Sequence, residues 1–264
     1  MPVLKYLAKN VAEQPDEVAL VELNPTAADT RRTSWKEYGL VEADRFKPYR
    51  REITWRVFDE KANRFANVLI ERGIKKGDKV AILMYNCLEW LPIYFGILKT
   101  GAVAVPFNFR YDAEEILYCV ELADVSVLVF GPEFVGRIEP NAEKLCRGRL
   151  LIHFGDNCPN YAESYHLLAA DAPSSEPAIA ATLRDEDDGA IYFSSGTTGF
   201  PKAILHKHLS LTQAAEMEQI HHATGRDDVF LCIPPLYHTG AKFHWMGSLF
   251  AGGKAVLLKG TSPE

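Results

Sequence analysis

The sequence is poor in the features that mark a secreted, fibrous, nucleic-acid-binding or membrane-spanning chain. Only five of its 264 residues are cysteine (Cys87, Cys119, Cys146, Cys158 and Cys232), an odd number, widely spaced and never in a CxxC pair. That usage reads as reduced thiols and leaves no disulfide framework. Basic residues are outnumbered, 29 Lys and Arg against 35 Asp and Glu, for a formal charge of −6. Without a broad cationic excess the charge argues against gripping DNA or RNA by phosphate neutralisation, local basic patches aside. The longest apolar stretch, Leu88 to Leu98, is broken by Glu89 and Pro92 and falls well short of the roughly 20 residues that cross a bilayer. No apolar h-region opens the chain, so no signal peptide is read. The expectation is a soluble, cytoplasmic protein with no transmembrane segment and no nucleic-acid partner.

What is present is a globular composition, 47% hydrophobic and 24% charged, in a chain long enough to bury a core without staples. Phe58, Ala62, Phe65, Ala66, Leu69 and Ile70 recur at helical spacing, with Thr54 as a cap before them and Gly73 as a stop after them. Short apolar runs of buried-strand type follow at Lys79–Met84, Val103–Phe107, Ser126–Phe130 and Leu150–Phe154. A helix is expected from Leu88 to Lys99, and Asp112 with Glu115 has the spacing of a capping box. The alternation predicts an α/β fold of two helix-flanked, mostly parallel sheets. One subdomain is expected over 1–155, interrupted by a polar excursion at 24–51. A proline-bearing connection follows at 156–188, its acidic end, Asp185 to Asp188, being a solvated face. A second, incomplete subdomain spans 189–264, its sheet opening with Ala190–Phe193. Further strands are expected at Ala203–His206, Val229–Ile233 and Ala255–Leu258, and helices at Leu209–Ala223 and Lys242–Phe250.

Chemistry concentrates in Ser194-Ser-Gly-Thr-Thr-Gly-Phe-Pro-Lys202. Glycines let successive N–H groups converge, four hydroxyls (Ser194, Ser195, Thr197, Thr198) add donors, and an ammonium supplies charge, a combination suited to phosphate. It is not a Walker A loop: Pro201 occupies the place of the glycine before the lysine, and Ala203 follows where Ser or Thr is required. A GxGxxG fingerprint is absent.

Tyr192 to Lys202 resembles the signature of the adenylate-forming (AMP-binding) superfamily, which contains acyl- and aryl-CoA synthetases, peptide-synthetase adenylation domains and firefly-type luciferases. Three further segments resemble its motifs in order: Ile53-Thr-Trp55 entering the Phe58 helix, Leu98-Lys-Thr-Gly-Ala-Val-Ala-Val-Pro-Phe-Asn108, and Pro234-Pro-Leu-Tyr-His-Thr-Gly240 with Gly252 to Leu258. Ala203 departs from the glycine usual after the motif lysine.

The resemblance implies an AMP-forming acid–CoA ligase, joining a fatty or other carboxylic acid to CoA through an acyl-adenylate, with ATP, Mg2+ and CoA as cofactors and co-substrates. It assigns Ser194, Ser195, Gly196, Thr197, Thr198, Gly199 and Lys202 to the ATP phosphates, and His238, Thr239 and Gly240 to the acyl pocket. Lys202, Thr198 and His238 support catalysis. A magnesium-holding Glu, a ribose-binding Asp and a C-terminal lid domain with a catalytic lysine follow in the family but not after Leu258. The chain is therefore expected to be an N-terminal portion, inactive alone and with no metal ligands of its own. Two alternatives stand: a non-catalytic nucleotide-binding or regulatory fragment, and a peptide-synthetase-type adenylation domain, which His238 disfavours because those domains usually place an aspartate in this region. Of the other histidines, His206 and His208 alternate along a strand, with one packed behind the phosphate loop. His221 and His222 form a solvated pair at a helix end, and His244 lies on the helix after the pocket motif as a candidate to line the acyl site.

Overall fold

The computed structural model describes residues 2–23, 50–194 and 201–258. The polar excursion therefore lies outside the described residues except for Arg50 and Arg51, which already belong to a strand. Residues 195–200 of the glycine-rich loop also lie outside.

The chain opens with α1 (Leu4–Glu13), β1 (Val18–Leu23) and β2 (Arg50–Thr54). Helix α2 (Trp55–Glu71) starts where Thr54 Oγ1 accepts the Val57 N–H, one of the orphan donors of a first turn. It ends at Gly73, whose φ of +83° is the left-handed conformation glycine adopts without strain. Phe58, Ala62, Phe65, Ala66 and Leu69 are buried as the periodicity predicts, whereas Ile70, at the edge of that stripe, is 40% exposed.

The next elements are wound around one sheet: β3 (Lys79–Leu83), α3 (Trp90–Lys99), β4 (Val103–Pro106), α4 (Ala113–Leu122), β5 (Val125–Phe130), α5 (Val135–Ile138), α6 (Ala142–Leu145) and β6 (Leu150–His153). The capping box is present, with Asp112 accepting the Glu115 N–H and Glu115 accepting the Asp112 N–H. β3 pairs in parallel with β4 on one side and β5 on the other. The crossovers thus run in both directions from a central strand and put helices on both faces.

Beyond β6 the chain forms β7 (Glu163–Ser164), α7 (Tyr165–Ala170), β8 (Asp188–Ser194), β9 (Lys202–Lys207), α8 (His208–His221), β10 (Val229–Cys232), α9 (Thr239–Ala251) and β11 (Lys254–Leu258). Strand order corrects one expectation. The strand at Ala190–Phe193 does not open a second sheet; it joins the first, in parallel beside β4 at Ala104 and Ala190. The seven-stranded order is β7-β6-β5-β3-β4-β8-β9, with β9 antiparallel to β8. The reason lies in the two faces of β8. Ala190 and Tyr192 enter the core shared with α2 and α3, while Ile191 and Phe193 meet the opposite core around Phe107 and Tyr111. A strand apolar on both faces fits the interior of a sheet covered on both sides.

The second sheet, β10-β11-β1-β2, takes its strands from both ends of the chain, β1 lying parallel to β11 and antiparallel to β2. Its N-terminal strands, β1 and β2, were not among those expected, and their pairing reaches across residues 24–49 and to the far end of the sequence. The sheets therefore do not follow the sequential division at 155 and 188. Nor is 156–188 a free connection. Arg64 donates to the Ala170 and Ala172 carbonyls, Asn67 to those of Pro173 and Ser175, and Asn63 to that of Ser174. Lys99, buried, reaches Asp59 at 2.8 Å and Glu176 at 2.6 Å, so the lysine of the Leu98–Asn108 segment ties this strap to α2 and α3.

Helices α2 and α3 touch through Gly96. A Cβ there would stand 2.8 Å from the Ala62 carbonyl oxygen and 3.1 Å from Phe65 Cδ1, and backbone cannot give way cheaply. Gly96→Ala is expected to destabilise the fold by about 1–3 kcal/mol through overpacking, despite alanine's better helix propensity. Chemical denaturation with an unchanged m-value checks this, and a stability gain would mean the helices are not held this close.

Candidate active site

Three motif-bearing segments converge. A cavity of about 440 Å³ is lined by Pro106, Asn108, Arg110, Tyr111 and Glu115 from the β4–α4 connection, Phe193, Ser194 and Pro201 from the β8–β9 hairpin, and Tyr237 and His238 before α9. A larger cavity of about 560 Å³ lies beyond the ends of β3, β5 and β6, away from these motifs.

Each wall has a local cause. After β4 the chain turns because Asn108 Oδ1 accepts the Arg110 N–H at 2.9 Å and its carbonyl accepts the Tyr111 N–H at 3.0 Å, a side-chain turn of the kind asparagine favours. Arg137 then fixes the turn by donating to the Phe109 and Tyr111 carbonyls. In the hairpin, Ser194 pairs with Lys202 across β8 and β9, so the strands bring the first and last residues of the loop together. The third wall hangs on Asn86, which is buried. Its Nδ2 donates to the Pro234 carbonyl at 3.0 Å and its Oδ1 accepts the Leu236 N–H at 2.8 Å. This two-point clamp sets where His238, the residue before α9, sits beside the hairpin.

The structure thus brings Ser194 and His238 to one cavity. Lys202 is exposed on β9 and does not line it, and neither do Thr239 and Gly240, which open α9. Ser195, Gly196, Thr197, Thr198 and Gly199 lie outside the described residues. Sequence reasoning missed Arg110, the one Lys or Arg among the lining residues, together with Tyr111, Glu115 and Asn86. Arg110 and Tyr111 sit immediately after the quoted Leu98–Asn108 segment, which was the available signal. Asn86 had none, since a lone asparagine after a strand reads as a turn. Burial raises the Tyr111 and Tyr237 hydroxyls above their ordinary pKa, and Arg110 works against the rise at Tyr237. Glu115 is already engaged by the Asp112 N–H.

The histidines separate. His206 packs edge-on against Tyr192, 5.3 Å between ring centroids. His208 is fully buried at the start of α8, and desolvation pushes its pKa down to about 4. His244 does not line the 440 Å³ cavity; it faces Glu218 of α8 at 2.8 Å.

One buried group near the site was not foreseen. Lys242 of α9 is fully buried, and its Nζ lies 3.6 Å from the ring centroid of Tyr192 and 4.4 Å from that of Tyr94. It has no hydrogen-bond partner among the described residues. The two tyrosine hydroxyls are 3.0 Å apart. Desolvation holds the Lys242 pKa well below the ordinary 10.5, the response of an amine with no counter-ion.

Comparison with known proteins places the chain in a family. The chain belongs to the AMP-binding enzyme family, whose model matches residues 7–264. A medium/long-chain-fatty-acid–CoA/3-oxocholest-4-en-26-oate–CoA ligase of Mycolicibacterium smegmatis is 31% identical over 235 residues, 81% of this chain and 42% of that protein. The anthranilate–CoA ligase AuaEII, solved with anthranoyl-AMP, superposes with a TM-score of 0.83 at 24% identity, over 99% of this chain and 45% of that one. ATP-bound MatB from Rhodopseudomonas palustris superposes with a TM-score of 0.76 at 25% identity, over all of this chain and 46% of that one. The chain therefore spans less than half the length of these relatives. Among the described residues no helix is long and apolar enough to cross a membrane.

Lys242 gives a prediction whose sign is fixed by linkage. The unfolded chain protonates this amine below its ordinary pKa of 10.5, while the folded chain resists until a much lower pH, so the residue costs stability progressively as pH falls from about 10. Lys242→Met, similar in length and apolar, is expected to stabilise the fold by about 1–3 kcal/mol near pH 7 and by less near pH 10. Urea denaturation at the two pH values checks it. An equal or larger gain at the higher pH would show that the ammonium is accommodated.

Proposed function

We propose that this chain supplies the phosphate-loop and acyl-pocket portion of an AMP-forming acid–CoA ligase. The observation that carries the reading is the convergence of the β4–α4 turn, the β8–β9 hairpin and the segment before α9 on one cavity. Each of the three bears a motif of the family, and they approach from separate parts of the chain.

In the proposed reaction a substrate carboxylate oxygen attacks the α-phosphorus of ATP, and the bond to the β-phosphate oxygen breaks. Acyl-AMP forms and pyrophosphate leaves. A thiolate, that of CoA, then attacks the acyl carbon, and AMP departs as the thioester forms. The residues from Ser194 to Lys202 hold the β- and γ-phosphates, with hydroxyls and backbone N–H groups as donors and the Lys202 ammonium offsetting the charge on departing pyrophosphate. His238, exposed beside the hairpin, faces the carboxylate, and Thr239 and Gly240 begin the acyl pocket. The substrate is a small carboxylic acid. For magnesium the fit is poor: among the described residues the one carboxylate lining the cavity is Glu115, whose Oε2 accepts the Asp112 N–H in the capping box, so no step is assigned to a metal here.

Lys202→Ala in the complete ligase is expected to slow acyl-adenylate formation about tenfold to a hundredfold, the equivalent of one charge-assisted contact. Thioester formation from preformed acyl-AMP should be nearly unaffected, because AMP rather than pyrophosphate then leaves. Pyrophosphate release and single-turnover thioester assays separate the two steps, and equal losses in both would remove the role given to Lys202. The 264-residue chain by itself is expected to show no ligase turnover, and robust turnover would mean that it already holds everything the reaction needs.

A further inference from the structure

Helices α8 and α9 bring three side chains with metal-ligating atoms to one point, away from the candidate active site. Glu218 lies in the last turn of α8 and His222 caps its C-terminal end, four residues on, the spacing that puts two side chains on one helix face. His244 arrives from α9. The Glu218 carboxylate oxygen Oε2 stands 3.2 Å from His222 Nε2 and 2.8 Å from His244 Nδ1, and the ligand atoms of all three residues lie within 4.8 Å of one another. All three line a cavity of about 430 Å³.

The approach is built into the helix packing. His244 and Gly247 share a face of α9, and a Cβ at Gly247 would meet the Gln219 backbone nitrogen at 3.2 Å and Glu218 Cβ at 3.4 Å. The absence of a side chain there lets α9 come close enough for His244 to reach Glu218. The His244 ring is also stacked on Phe230 of β10, with 6.3 Å between centroids and 29° between planes, which limits its rotation. The end of α8 is closed by Gln219, whose side chain donates to the Thr224 carbonyl at 2.9 Å. These contacts come from three different elements.

We propose that Glu218, His222 and His244 form a binding site for a divalent cation of the zinc class. Four-coordinate zinc with bonds of about 2.0–2.1 Å separates its ligand atoms by about 3.3 Å, close to the two distances above, so small side-chain rotations admit the ion. Two imidazoles and one carboxylate suit zinc, cobalt or nickel, whereas magnesium and calcium prefer oxygen ligands throughout. Asp228 lines the same cavity but stands apart from the three-residue cluster, its Oδ2 accepting the Gly225 N–H at 2.7 Å, and the proposed fourth ligand is water. Such an ion would clip the C-terminal turn of α8 to the middle of α9, the helix that His238 precedes. The inference is independent of the ligase reading, since none of its ligands lines the candidate active site.

The test uses the untagged chain, because a polyhistidine tag would itself bind the ion. Equilibrium dialysis against Zn2+ is expected to retain one ion per chain, and Co2+ is expected to give visible d–d bands of a nitrogen- and oxygen-ligated site. His222→Gln and His244→Gln should each weaken binding at least about tenfold, since loss of an outer-shell partner alone costs that much. Both positions are exposed, and circular dichroism confirms that each variant is folded. Three outcomes would overturn the proposal: no retention at micromolar Zn2+, retention unchanged in both variants, or a cobalt spectrum with thiolate charge-transfer bands, which would place the ion on the cysteines.

Discussion

Three aromatic rings hold the two sheets in register. Phe58 of α2, Phe95 of α3 and Trp245 of α9 meet with centroids 5.5, 5.7 and 6.1 Å apart, two of the contacts edge-to-face. Helix α3 is a crossover of the seven-stranded sheet and α9 a crossover of the four-stranded one, while α2 runs from β2 of the four-stranded sheet into β3 of the other. Since Phe58 and Trp245 are among the largest fully buried side chains, their packing sets the position of α9 to within the tolerance of a close-packed core. The start of α9 is therefore placed against the β8–β9 hairpin by contacts well behind the cavity. Charge reinforces the junction: Glu22 of β1, buried, accepts from Arg51 of β2 and from the Leu88 N–H between β3 and α3, one carboxylate tying the four-stranded sheet to the β3–α3 connection.

The site and its support are different kinds of structure. The cavity is lined by turns, and two of its three walls are pinned by a side chain that does not line it: Arg137 behind Phe109 and Tyr111, Asn86 behind Pro234 and Leu236. Loops presented by a rigid frame are the usual way a fold offers reactive groups. Lys242 departs from this economy, an amine buried between two tyrosines without an acceptor among the described residues.

Local features were legible from the sequence wherever the cause is local. The Thr54 cap, the Gly73 stop and the Asp112–Glu115 box each depend on residues within a few positions, and all three stand in the structure. The strands β3, β4 and β5 were legible because buried parallel strands are continuous apolar runs. Pairing was not. Nothing within Gly189–Phe193 states whether β8 adds to an existing sheet or starts another, since that depends on whether residues 103–106 present an open edge. β1 and β11, more than 200 residues apart in the sequence numbering, are the extreme of the same problem. For the site, Ser194 and His238 were recognised through motifs. Asn86 and Arg137 act through backbone carbonyls that any residue supplies, which leaves no pattern to read. The face-to-face placement of His244 and Glu218 turned on a glycine, Gly247, whose importance appears only once α8 lies against it.

The pairing of β1 with β11 also bears on how the chain folds while it is being made. At synthesis rates of about 5–20 residues per second, the roughly 230 residues between them take on the order of ten to forty-five seconds to emerge. Throughout that interval β1 has β2 on one side and an unfilled hydrogen-bonding edge on the other, and an isolated two-stranded ribbon is marginal in water. The seven-stranded sheet is under no such delay, because β3 to β6 find their partners within a short stretch of chain. The nascent protein thus passes through a stage in which one sheet is largely assembled while an apolar strand, Val18–Leu23, waits with an edge that any other extended segment can occupy. Protection of that edge during translation is a requirement the topology imposes on the cell.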